Sequence, residues 1–222
     1  LTDHASDLLF APTEAAVERL ALEGIEDGVH RTGDVMYDAL QWARERAAPG
    51  EVLDDLGLGP GEYVLATVHR PRNADDPERL TAILDALRTG PLPVVLPVHP
   101  RTARRFEEFG IDLADDPDLH AIDPVGYLAF VGLIDAADRV VTDSGGVQKE
   151  AFLLDTPCLT LREETEWRET VEAGWNVLVG ADPEAIAAGL HREFDAATDV
   201  EPYGDGRAAE RIAAVLAEGP TA

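Results

Sequence analysis

The sequence predicts an α/β fold carrying one doubly wound parallel sheet. Three observations support this. From about Gly61 onward, short unbroken apolar runs alternate with amphipathic stretches of about ten residues. The runs are rich in Val, Leu and Ile, as strands buried on both faces must be. Polar or glycine-bearing turns punctuate them.

Tyr63–Val68 is the first strand of this series. A helix follows over Asp76–Thr89, with Asp75 or Asp76 as N-cap, Pro77 in the first turn, and Leu80, Ile83, Leu84 and Leu87 on one face. Val94–Val98 is a strand and Thr102–Phe109 a helix. Leu119–Ile122 is a strand, Gly126–Ala136 an apolar helix, Arg139–Thr142 a strand and Val147–Leu154 a helix. Cys158–Leu161, Glu166–Ala173 and Asn176–Val179 give strand, helix and strand. Pro183–Phe194 and Arg207–Ala217 are closing helices.

The first sixty residues keep this rhythm less well. Leu8–Ala11 reads as a strand, Thr13–Glu23 as a helix, and Val35–Ala47 as a helix containing Trp42. The stretch APGEVLDDLGLGPG then reads as a linker, rich in Gly, Pro and acid. We therefore expect residues 1–58 to be the remnant of an N-terminal domain with its linker. Residues 59–222 would be a complete Rossmann-like domain whose last helix packs back on the N-terminal part.

Composition excludes several classes. The 222 residues are 45% hydrophobic, ample for a core, so the charge is not that of a disordered chain. Asp and Glu number 44 against 18 Lys and Arg, a formal charge of -26, which argues against nucleic-acid binding. Lys149 is the sole lysine. An acidic, lysine-poor chain suggests adaptation to high cytoplasmic salt, where screening relieves self-repulsion. No apolar run is long enough to span a membrane and no leader is visible at Leu1, so a cytoplasmic enzyme is expected. Cys158 is the only cysteine, which excludes a disulfide framework and a cysteine-based zinc cluster.

In an open parallel sheet, ligands bind beyond the carboxyl ends of the strands, and three such ends carry polar groups. After Arg139–Thr142 comes Asp143, then Ser144, Gly145 and Gly146 opening a helix. Adjacent glycines expose backbone N–H groups at a helix start, which suits a phosphate; an ordinary tight turn reads the same way. Ser144 adds a hydroxyl, and Glu150 is placed to accept from ribose hydroxyls. His69 ends the first strand of the series as a general acid, a phosphate contact or a loop-capping structural histidine. Arg70 and Arg72 make that end locally positive. His99 and Arg101 follow the next strand and either face the same crevice or serve the loop. His4, His30, His120 and His191 read as surface or structural. The acidic run Glu163–Glu169 reads as favourable charge at a helix start.

Five segments occur in order: VHRPRN at 68–73, VHPRT at 98–102, DPVGYLAF at 123–130, TDSGGVQKEA at 142–151 and TEWRETVEAGWNVLVG at 165–180. Together with LLFAPTEAA and GDVMYDAL near the start, they resemble the non-hydrolysing UDP-N-acetylglucosamine 2-epimerases, in a haloarchaeal-type version. The resemblance implies a GT-B-like fold and interconversion of UDP-GlcNAc and UDP-ManNAc by elimination and re-addition of UDP. It implies that His69 is the active-site histidine and helps bind and protonate the leaving phosphate. Ser144, Gly145 and Gly146 would hold the diphosphate, Glu150 the ribose, and Phe130 would lie beside the uracil. Arg70, His99 and Arg101 are further candidates, His99 because it matches a position near a second, activating UDP-sugar site.

Trp167-Arg168 stands where many members read Arg-Pro, a version similar to relatives acting on UDP-2,3-diacetamido-glucuronate. Lys149 stands where an acidic residue is common, on what reads as the outward side of its helix. The family's proton-moving carboxylates lie in the N-terminal domain, ahead of the first residue here, so this chain alone is expected to be inactive. No metal or cofactor is implied; a homodimer or a partnering N-terminal domain is. A GT-B glycosyltransferase half-domain and a non-catalytic UDP-sugar-binding module are the alternatives.

Overall fold

Buried β-branched runs and well-capped helices fold as the alternation requires. The structure, a computed structural model, describes residues 1–196 and 200–219. Residues 197–199 and 220–222, within the part assigned above to the second domain, lie outside the described residues. The chain forms two compact units: residues 1–45 with the described residues from 200 onward, and residues 46–196.

In chain order the elements are β1 (Leu9–Ala11), α1 (Glu14–Leu22), β2 (Val29–Arg31), α2 (Val35–Arg44), α3 (Gly50–Leu56), β3 (Val64–Thr67), α4 (Pro71–Ala74), α5 (Pro77–Leu87), β4 (Val94–Pro97) and α6 (Pro100–Phe109). There follow β5 (Leu119–Ile122), α7 (Tyr127–Ala136), β6 (Arg139–Thr142), α8 (Gly145–Leu153), β7 (Cys158–Thr160), α9 (Arg168–Glu172), β8 (Asn176–Leu178), α10 (Pro183–Leu190) and α11 (Ala208–Glu218).

The first unit pairs β1 and β2 in parallel, Leu9 opposite Val29, with α1 as the crossover. Helix α11 packs on α2, and the Asp38 carboxylate of α2 accepts the N–H groups of Ala208 and Ala209 at 3.0 and 2.7 Å. That carboxylate caps the first turn of α11, where negative charge is favoured.

The second unit holds a six-stranded sheet in the order β5-β4-β3-β6-β7-β8, every pair parallel. Strand order reverses between β3 and β6, as in the doubly wound dinucleotide folds. Val64, Ala66, Val94, Leu96, Val141 and Leu159 form one core with Leu80, Leu84 and Leu87 of α5 and Ile186 and Leu190 of α10. The intervening residues Leu65, Val95, Val140 and Cys158 are equally buried, so both faces are covered. On that second side Tyr63 donates its hydroxyl to the Leu133 carbonyl of α7 at 2.6 Å.

Contacts divide the chain at residues 45 and 46, not 58 and 59. The supposed linker contains helix α3, ended by Gly57 in the left-handed region at φ 67° and burying Leu53. A Cβ on Gly132 of α7 would lie 2.7 Å from Pro49 Cδ, so the start of α3 is docked on the second unit. Three further differences are local. Strand β2 and the single-turn helix α4 lay outside the expected elements, and α8 begins at Gly145 instead of Val147.

Candidate active site at the strand-order reversal

The crevice expected at a strand-order reversal lies between the ends of β3 and β6. His69 follows β3 and Asp143 follows β6, and the two meet there: His69 Nδ1 lies 3.2 Å from Asp143 Oδ1. The strands below are locked by a Thr67–Thr142 hydroxyl contact of 2.6 Å.

Asp143 is the hub. Its side chain is fully buried. It accepts the main-chain N–H of His69 at 3.1 Å, that of Arg70 at 2.9 Å and the side-chain amide of Asn73 at 3.1 Å. Asn73 is held in turn by the Leu161 carbonyl and by Arg79, whose Nε donates at 2.8 Å. Burial works to raise the Asp143 pKa, but the donors from His69 and Arg70 hold it below the usual carboxylate range. The group is therefore a carboxylate at neutral pH. The β3 end is fastened from the other side by Thr102, which donates its hydroxyl to the Val68 carbonyl at 2.5 Å.

Helix α8 starts beside this hub without a side-chain cap. Ser144 occupies the N-cap position, yet its hydroxyl caps nothing. By contrast α1, α2, α5, α6 and α10 are capped by Thr13, Asp34, Asp76, His99 and Asp182. Neither Gly145 nor Gly146 has a positive φ, so backbone conformation does not demand glycine at either position. A Cβ on Gly146 would meet nothing closer than Ser144 Oγ at 4.0 Å; its absence leaves the approach to the helix N-terminus open. Gly145 is roofed: a Cβ there would come 3.0 Å from Glu166 Oε1 and 3.4 Å from Trp167 Nε1. Arg162 holds Glu166 at 2.7 Å. Burial disfavours the Glu166 charge, but its own N–H and Arg162 pull its pKa below the usual value.

Lys149 corrects the sequence reading: it does not face outward. It is 3% exposed, with Nζ 4.4 Å from the centre of the Trp167 ring. Helix α8 is buried nearly all round, so it has little outward side. Gln148 links it to the roof, its Oε1 accepting from the Thr165 hydroxyl at 2.7 Å and from Asn176 at 3.3 Å.

Glu150 lies further along α8 and is 8% exposed. Its Oε1 accepts the Tyr127 hydroxyl of α7 at 3.0 Å. Burial pushes the Glu150 pKa up, offset in part by Tyr127 and Lys149. Phe130 sits one turn beyond Tyr127 on α7, half-buried.

The other candidates divide. His99 reaches the crevice, its ring 5.3 Å from that of His69. Its Nδ1 accepts the Arg101 N–H at 3.1 Å and so caps α6. Arg101 is turned away, its guanidinium 3.2 Å from Asp75. Arg70 lines a cleft of about 340 Å³ with Arg72, Asn73, Arg162, Glu163 and Glu164. Of the remaining histidines, His4 lies 3.4 Å from Glu23, His30 packs against Phe10, and His191 contacts the Thr89 carbonyl.

The profile of the family described as UDP-N-acetylglucosamine 2-epimerase matches residues 1–217. The chain belongs to that family. A UDP-N-acetylglucosamine 2-epimerase homolog from Methanococcus maripaludis is 42% identical over 222 residues, covering 97% of this chain and 62% of the relative. The UDP-2,3-diacetamido-2,3-dideoxy-D-glucuronate 2-epimerase of Pseudomonas aeruginosa is 43% identical, with coverage of 98% and 62%. The crystal structure of Methanocaldococcus jannaschii UDP-GlcNAc 2-epimerase in complex with UDP-GlcNAc and UDP superposes with a TM-score of 0.84 at 37% identity. It covers 99% of this chain and 63% of that one. The chain thus spans about 62% of the length of the curated relatives it matches.

For this epimerase-family chain, the sequence reading missed two site residues. Asp143 has no role in the sequence reading beyond following a strand, although a carboxylate directly after Val140-Val141-Thr142 is a signal of buried ionic chemistry. Tyr127 was passed over beside Phe130; nothing local marks it, because its partner lies 23 residues away. No helix among the described residues is long and apolar enough to cross a membrane.

Proposed function

We propose that residues 46–196 form the nucleotide half of a UDP-sugar 2-epimerase, with UDP-N-acetylglucosamine as the ligand. The observation that carries this reading is the uncapped, side-chain-free start of α8 facing His69 across the strand-order reversal. The N–H groups after Ser144 meet the diphosphate, aided by the helix dipole. Glu150 Oε2 accepts from the ribose, and Phe130 flanks the uracil. His69 stands at the phosphate that leaves C1.

In the reaction the C1–O bond breaks, its electron pair leaves with UDP, and C2 loses a proton, giving a 2-acetamidoglucal. Re-addition restores the C1–O bond and places a proton on the other face of C2. We assign the C2 proton transfers to carboxylates in the part of the family's length that this chain does not span, and residues 1–45 to the edge of that part. On this reading the chain alone binds UDP without turning over. The complete enzyme works in a salt-rich cytoplasm, as a homodimer or with that remaining part as a partner.

One observation favours a second sugar. Trp167 roofs Gly145, and the Pseudomonas aeruginosa relative acts on UDP-2,3-diacetamido-2,3-dideoxy-D-glucuronate. Competition between the two UDP-sugars for this chain decides between them.

The test is a calorimetric UDP titration in molar KCl, wild type against Glu150→Ala. Binding by the wild type, weakened at least about tenfold in the variant, supports the reading. A folded wild type that takes up no UDP overturns it.

A further inference from the structure

We propose that Asp143 is a positioning residue that sets the tautomer of His69, keeping the proton on Nδ1 so that Nε2 is the nitrogen offered to the ligand. The role of Nε2 toward a phosphate rests on the proposed function; the tautomer itself does not.

The argument is one of donors and acceptors. An ionised carboxylate can only accept, so the imidazole nitrogen facing it must carry hydrogen. Asp143 Oδ1 faces His69 Nδ1 at 3.2 Å. The carboxylate cannot swing away, because Oδ2 takes the Arg70 N–H at 2.9 Å and the Asn73 amide at 3.1 Å. Asn73 cannot turn over either, because its Oδ1 accepts from Arg79. The chain Arg79–Asn73–Asp143–His69 is therefore ordered from end to end. The His69 ring is about one-third exposed, and with Nδ1 turned inward Nε2 takes the open edge.

The other charged and titratable groups around His69 leave this assignment alone. Arg70 follows it in the chain, and Glu166 interacts with Arg70 from the roof over Gly145. His99 lies 5.3 Å away and is fixed oppositely: its Nδ1 accepts the Arg101 N–H, so in the neutral ring the hydrogen sits on Nε2. Two neighbouring imidazoles thus hold opposite tautomers.

A substitution can reverse one of them. In Asp143→Asn the carboxamide oxygen must take the Oδ2 seat, where the N–H groups of His69 and Arg70 and the Asn73 amide converge, the His69 N–H being shared with Oδ1 in the wild type. Its NH₂ group then fills the Oδ1 seat and points at His69 Nδ1, which must become the acceptor. The hydrogen moves to Nε2.

The experiment is a long-range ¹H–¹⁵N spectrum of the histidine-labelled chain in molar KCl, at a pH where the imidazoles are neutral. Wild-type His69 should show hydrogen on Nδ1 and His99 hydrogen on Nε2; Asp143→Asn should invert His69 alone. A merely structural Asp143 would leave the pattern unchanged in a folded variant. That result, or hydrogen on Nε2 of His69 in the wild type, overturns the proposal. The wild-type spectrum is decisive by itself if the variant does not fold. Adding UDP should then move the His69 Nε2 signal more than Nδ1. If UDP moves no signal, the nucleotide reading fails while the tautomer assignment stands.

Discussion

Tyr127 and Glu150 meet at 3.0 Å and join the start of α7 to the middle of α8, with the hydroxyl donating to a carboxylate that burial has made costly to charge. Burial and the carboxylate push the Tyr127 pKa up to about 12, so the phenol keeps its proton and stays a donor. The folded-state pKa of Glu150 lies above its unfolded value. Folding therefore favours its protonated form, and stability is lost as pH rises through the carboxylate range. Tyr127 offsets that loss only for the ionised form. Tyr127→Phe should cost about 1 kcal/mol at pH 8, a value reduced because the Tyr127 residue is half exposed, and less at pH 4.5. Chemical denaturation of both proteins at the two pH values checks this. An equal cost at each pH would mean that the hydroxyl does not serve the charge.

Gly146→Ala separates stability from binding. The added methyl meets no atom closer than 4.0 Å, and alanine is the better helix former. The variant should be as stable as the wild type, or more stable by up to about 1 kcal/mol. Its methyl occupies the open approach to the α8 N-terminus, so UDP affinity should fall by at least about tenfold. Thermal melts and calorimetry on the same preparation give both numbers. Retained affinity would place the diphosphate elsewhere.

What the sequence reveals follows the range of the forces involved. The strands of the sheet are legible because Val94–Leu96 or Val140–Val141 can be buried on both faces only inside a parallel sheet. Helix α3 is hidden because Pro49, Gly50 and the acids around Leu53 look like a linker; what makes it helical is its docking under Gly132. Strand β2 is three residues long, half-exposed and contains His30 and Arg31, so it has no pattern to read. At the site, His69, Ser144, Gly145, Gly146 and Glu150 are legible as chemistry at strand and helix ends. Asp143 as hub is not, because its donors arrive from 70 to 74 residues away. Lys149 is misread for the same kind of reason: the Trp167 ring over its ammonium comes from a different element of the chain.

Cys158 should be inert while the chain is folded. It lies in β7, 1% exposed, and burial pushes the thiol up to about 12, so almost no thiolate exists at neutral pH. Its sulfur lies 3.8 Å from the Thr160 hydroxyl, which compensates only weakly. A disulfide reagent at pH 8 should label the denatured chain at once and the native chain only as fast as the sheet opens. Rapid native labelling would mean that β7 opens locally, without global unfolding.

Salt should stabilise this chain, and magnitudes decide the sign. Ion pairs such as Arg88–Asp85 at 2.8 Å and Arg211–Asp205 at 2.7 Å lie at the surface and contribute about 0–1 kcal/mol each, which salt weakens. Against them stand the charges that pairing cannot remove. Even with all 18 cations engaged, a net charge of -26 remains uncompensated. The mutual repulsion of these like charges acts over roughly 10 Å at 0.1 M salt and over about 3 Å at 1 M. Screening therefore removes more repulsion than attraction. The melting temperature should rise between 0.1 and 2 M KCl, and Asp→Asn changes at exposed, unpaired sites should reduce that rise. A melting temperature that stays level or falls with KCl would show that the acidic surface is not the stability determinant the composition suggests.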